Sequence, residues 1–161
     1  MWEKILNKLF KDHYLGTFFR LPLSLTLVTS GYLKMRNIPE AKMAVRAYQI
    51  LPISLANILG NVLPWIELGI GVLLLLGVAT KYISIFAFGF MLIFIIAISQ
   101  AWVRGLSISC GCFGGGGVVP KGRASYLPEI LRDSYFALSA IYLFLFPVTK
   151  FSIDNKGERK S

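Results

Sequence analysis

Apolar residues do not alternate with polar ones along this chain; they run together in four blocks separated by short charged stretches. The blocks cover approximately residues 15–34, 53–78, 82–103 and 126–147, the first reading "LGTFFRLPLSLTLVTSGYLK". Each is long enough to cross roughly 30 Å of hydrocarbon as a helix, a crossing that takes about 20 residues. Blocks apolar on all sides suit lipid better than a self-made core. The pattern predicts an all-α integral membrane protein, with a single four-helix bundle over residues 1–148 and a polar tail over 149–161. Lys34 stands where a signal peptide would place a small-residue cleavage site, so the first block is expected to be retained. Pro64 predicts a kink in the second block.

Between the first two blocks lies "MRNIPEAKMAVRAYQILP". It puts Ile38, Met43, Ala44, Ala47 and Ile50 near one helical face, and Lys42 and Arg46 on another. That spacing fits a short amphipathic helix in the headgroup region, and equally an ordinary polar connector.

Composition strengthens the membrane reading. With 55% of residues hydrophobic, 16% charged and a mean hydropathy of +0.64, there is too little polar surface to cover a soluble domain. The net charge of +9 does not point to nucleic acid, because the basic residues cluster at the flanks of the apolar blocks. Lys4, Lys8 and Lys11 precede the first block, and Lys150, Lys156, Arg159 and Lys160 follow the last. Such flanks orient helices and contact anionic headgroups. Four crossings would put both termini and the "ATKY" linker on one side with eight basic residues, against seven on the other. The small excess leans toward cytoplasmic termini and a third connection outside the plasma (inner) membrane.

That third connection contains "SISCGCFGGGG", with both cysteines of the chain, Cys110 and Cys112, on either side of Gly111. Two such thiols can bond to each other, bind a soft metal, or sit idle in a loop. A bond between them closes a very small ring and demands a sharp backbone bend, which Gly111 accepts best. A bond under such strain is easily reduced, which suits a shuttle better than a staple. Arg104, Lys121 and Arg123 bring positive charge to the loop, and glycine N–H groups can face an anion; both favour thiolate. Phe113 is placed to contact a partner or the membrane face. Cu(I) suits a pair of thiolates, but there is no methionine cluster and His13 is distant in sequence. No metal is expected, and redox exchange is the favoured reading.

Ionisable residues inside apolar blocks are functional candidates. Counting about 1.5 Å per residue from Ile53 and from Leu15 places Glu67 and Arg20 at similar depths, which predicts an ion pair between the first two spans. The alternative has Arg20 snorkelling to the interface and Glu67 protonated. Arg132 and Asp133 lie about two turns into the fourth block, placed either to serve the thiols or to lock helices together. Trp65 and Tyr48 are candidates for lining a quinone pocket or for ordinary interfacial aromatics.

Several landmarks occur together: Arg20, "SGYLK" (30–34), "YQILP" (48–52), "LPWIELGIGVLLLLG" (63–77), "RGLSISCGCFG" (104–114) and "LRDSYFALSA" (131–140). In these the chain resembles the MauE branch of the DoxX-like membrane proteins, over nearly its whole length. The resemblance implies a four-helix membrane bundle similar in outline to vitamin K epoxide reductases, with Cys110 and Cys112 as a redox pair. It also implies a part in forming or exchanging disulfides of an exported protein, with a thioredoxin-like protein as helper. Vitamin K epoxide reductases relay electrons through a second cysteine pair, which this chain lacks. A relay would therefore need a separate protein, or a quinone acting directly. The expectation is a membrane thiol–disulfide oxidoreductase. Its rivals are a non-catalytic membrane subunit that positions a redox enzyme, and a copper-handling protein.

Overall fold

The computed structural model describes residues 13–109, 111 and 116–147. Five helices lie among them: α1 (His13–Arg36), α2 (Ile38–Ala47), α3 (Ile53–Leu76), α4 (Thr80–Val103) and α5 (Tyr126–Leu145). Between α4 and α5, β1 (Ile108–Ser109) and β2 (Gly117–Val118) pair antiparallel, with Ile108 opposite Val118 and Ser109 opposite Gly117. The fold is all-α apart from this small clip. The four long helices fall on the four apolar blocks, and the connector between the first two is helical. The N-terminal lysines and the tail over 149–161 lie outside the described residues.

Two helices, α3 and α4, are long and apolar enough to cross a membrane by themselves, as expected of a helical membrane protein. Their large side chains, such as Ile58, Phe86, Ile93 and Ile96, point outward, where lipid can take them. In contrast, α1 and α5 carry charged residues that are buried inside the bundle: Arg20, Lys34 and Asp133.

The helices pack chiefly as two pairs, α1 with α3 and α4 with α5, and the pairs meet along α1–α5 and α3–α4. The buried positions of α3 are Ala56, Gly60, Pro64, Glu67, Gly71 and Leu74. Steps of three or four residues put them on one face. Small residues there let backbones approach closely, which is how helices gain contact when lipid supplies no hydrophobic drive. A Cβ on Gly31 of α1 would stand 2.7 Å from the Leu68 nitrogen and 2.9 Å from the Pro64 carbonyl oxygen. Helix α3 runs continuously through Pro64 and ends where Gly77 turns left-handed at φ 67°. Leu23, Leu27, Leu74, Met91, Phe136 and Leu143 fill the main core.

Helix α2 turns inward a face that keeps Ala44 and Ala47 of the one its sequence suggests but leaves Met43 and Ile50 out. Its buried residues are Ala41, Ala44 and Ala47, while Met43 is 54% exposed and Ile50, just beyond the helix, is also exposed. Closeness explains the choice. A Cβ on Gly60 of α3 would lie 2.6 Å from the Lys42 Cα, and the small side chains of Ala41 and Ala44 beside it suit so close an approach.

Candidate functional site

The loop that carries the thiols is held at its base. Beyond the β1–β2 pairing, the Val119 N–H donates to the Ser107 carbonyl at 2.8 Å, and the Ile108 N–H donates to the Tyr126 hydroxyl at 3.3 Å. Tyr126 in turn stacks on Trp102, with ring centroids 6.1 Å apart. Cys110, Cys112 and Phe113 lie outside the described residues, but Gly111 between the two cysteines is described. It is buried, and its φ of 66° is left-handed, a conformation that costs a residue with a Cβ. A Cβ there would meet the Gly116 Cα at 2.7 Å and the Ala44 Cβ at 3.2 Å. Gly111, Gly116 and the alanine face of α2 are thus pressed together.

Arg104 does not face this contact. Its Nη1 donates to the backbone carbonyl of Gln49 at 3.2 Å, and to that of Tyr48 at 3.5 Å, anchoring the end of α4 to the end of α2. Lys121 and Arg123 are exposed.

Buried charges lie next to the loop. Lys34 Nζ sits 2.5 Å from Glu67 Oε1, with the two side chains only 6% and 1% exposed. Ser30 Oγ donates to the other carboxylate oxygen at 2.9 Å. The Lys34 ammonium also stands 5.2 Å from the centre of the Phe94 ring on α4. This overturns the expected Arg20–Glu67 pair. Arg20 is buried at 2% exposure, but it precedes Lys34 by fourteen positions, about 21 Å along α1. Counting depth from Ile53 misled because the first turns of α3 lie against α2, at the Gly60–Lys42 contact. Helix α1 meets α3 only further along, at Gly31–Pro64.

Arg132 and Asp133 form their own pair, Nε and Nη2 both donating to Oδ1 at 3.0 and 2.9 Å. The second carboxylate oxygen, Oδ2, is buried with no hydrogen-bond partner among the described residues. Asp133 lines a cavity of about 20 Å³ together with Ser30, Glu67, Arg132 and Thr26 on one side and apolar side chains such as Leu27, Phe90 and Phe136 on the other, room enough for one water. A second cavity of about 10 Å³ joins Lys34, Glu40 and Ala44 to Gly111 and Gly116. Lys34 therefore connects the glycine contact of the thiol loop to the charged interior. Tyr48 borders a third cavity beside Lys34, whereas Trp65 points outward at 61% exposure, so the two do not face one space.

Lys34 and Ser30 are the residues that the sequence pattern passed over. They lie four apart on α1, hence on one face, and a buried Glu67 needs such donors.

Comparison with known proteins decides the family. The family model described as "Methylamine utilisation protein MauE" matches residues 12–146. The chain belongs to the MauE family. Within it, the "Methylamine utilization protein MauE" of Methylorubrum extorquens is similar to this chain, at 37% identity over 134 residues. That match covers 82% of this chain and 70% of the relative. No solved structure matches this chain. The family match spans all five helices and the loop, so the Lys34–Glu67 pair and the Gly111 contact both fall inside the family's extent.

Proposed function

We propose that this MauE-family chain is a multi-pass membrane protein of the plasma (inner) membrane that exchanges disulfides through Cys110 and Cys112 at the external face. A role in a methylamine-utilisation system, suggested by the name of its relative, would supply an exported, disulfide-containing substrate. The observation that carries the reading is Gly111. A left-handed glycine, packed against Gly116 and Ala44, holds the residue between the two thiols in the sharp bend that a bond between its neighbours requires.

In the oxidising direction, a thiolate of the exported protein attacks the Cys110–Cys112 disulfide. The S–S bond breaks, a mixed disulfide forms, and the released sulfur leaves with the electron pair and takes a proton. The partner's second thiol then loses its proton and attacks the mixed disulfide, so the partner becomes the disulfide and this chain the dithiol. A thioredoxin-like protein or a membrane quinone reoxidises the pair.

The test is to trap mixed disulfides in cells with Cys110→Ser and Cys112→Ser singly, and to measure partner disulfide formation in each. Capture of an exported or thioredoxin-like protein by one variant, with loss of partner oxidation in both, is the expected result. Wild-type partner oxidation by the double Cys→Ser protein would overturn it and leave a non-catalytic membrane subunit.

A further inference from the structure

Independently of the thiols, we infer that the cavity beside Asp133 binds one water molecule, which joins the two helix pairs by bridging Asp133 to the Ser30–Glu67 group. The Asp133 side chain is buried, at 3% exposure. Arg132 donates twice to Oδ1, while Oδ2 has no hydrogen-bond partner among the described residues. A buried carboxylate oxygen without a donor is costly, and native structures nearly always supply one. The cavity of about 20 Å³ that Asp133 lines is the space from which a donor can reach it. Its size suits a single water.

The same walls hold the further partners that a buried water needs, about two to four in all. Ser30 Oγ donates to Glu67 Oε2 at 2.9 Å, and both oxygens keep lone pairs that can accept from a water. Thr26 brings a hydroxyl to the same cavity. The water donates one hydrogen to Oδ2 on α5 and the other to the Ser30–Glu67 group of α1 and α3. Those partners belong to opposite helix pairs, α4–α5 and α1–α3. Phe90 and Phe136 close the far side and offer no competing bond, which confines the molecule to the polar wall.

A metal cation fits this site poorly. Lys34 already balances Glu67, and Arg132 balances Asp133, so the four groups carry no net charge. An added cation would stand uncompensated among apolar helices, where a buried charge is expensive. A neutral donor meets no such penalty.

The experiment takes the full chain in lipid nanodiscs and compares its infrared spectra in ordinary and in heavy-oxygen water. A confined water gives a sharp O–H stretch set apart from that of the bulk, and the heavier oxygen lowers its frequency. The wild type is expected to show such a band. Asp133→Leu, which removes the acceptor and fills the space, is expected to lose it. Leu138→Ala, on the exposed side of the same helix, is expected to keep it. No isotope-shifted band in the wild type, or one that survives in Asp133→Leu, overturns the proposal. So does a melting temperature that rises with sodium chloride but not choline chloride in the wild type alone, which would give the cavity to a cation. Should Asp133→Leu not fold, a crystal structure of the wild-type chain decides. A density peak about 2.5–3.0 Å from Oδ2 and from Ser30 or Glu67 supports the bridge, and an empty or cation-filled cavity ends it. Neither measurement involves Cys110 or Cys112, so disulfide exchange stands or falls on its own test.

Discussion

Glu67 shows how one buried side chain constrains its neighbours. Truncating it to alanine strands the Lys34 ammonium in a site 6% exposed, and breaking a buried pair this way costs about 3–5 kcal/mol. Thermal unfolding in detergent, followed by circular dichroism, should show Glu67→Ala far less stable than Glu67→Gln, which still accepts from Ser30. Gly111 makes the opposite prediction, a local effect with an intact bundle. Alanine there meets the Gly116 Cα at 2.7 Å in a left-handed backbone. The strain, on the order of 1–3 kcal/mol, should slow disulfide exchange about tenfold or more while leaving the melting of the helices unchanged. At this scale the sequence was half informative. A carboxylate in the middle of an apolar block is conspicuous, and so is a glycine between two thiols. Lys34 was not, because a lysine at the end of an apolar run looks like any interfacial flank until helix α2 is seen to cover it.

Helices α1 and α3 are held together by what they lack. Gly31 and Gly71 sit where a side chain would strike the opposing backbone, 2.7 Å from the Leu68 nitrogen and 2.8 Å from the Val28 nitrogen. Valine at either position must push the pair apart, at a cost of about 1–3 kcal/mol for overpacking alone, and the separation should also break the Lys34–Glu67 contact. The expected outcome for Gly31→Val is a lowered melting temperature. The long helices were legible because their apolar blocks match the helical length that hydrocarbon demands. The inward face of α2 was legible in part: Ala44 and Ala47 lie on the expected face, but hydrophobicity also favours Met43 and Ile50, whereas close packing takes in Ala41 instead. Register between α1 and α3 was illegible for a related reason: it depends on which turns of α3 are covered by α2, a tertiary fact with no local pattern.

For the molecule as a whole, sidedness is the quantity to measure. A nearly even distribution of basic residues predicts only a small bias, and it leans toward an external loop. A membrane-impermeant maleimide added to intact cells should therefore label Cys110 and Cys112 after mild reduction, with no need for permeabilisation. Labelling that appears only after permeabilisation would reverse the orientation and remove an exported substrate. The hairpin at the foot of the loop has one more consequence. Ser109 and Gly117 are kept in register as paired strands, and Gly111 and Gly116 meet just beyond them, so only the four positions between those glycines join ends that are not already in contact. Even drawn taut, such a link can rise no more than about 9 Å from its base. If the proposed exchange takes place, a visiting protein must accordingly deliver its sulfur on a projecting turn or finger, and one whose thiols lie in a recess would be turned away by shape before chemistry began.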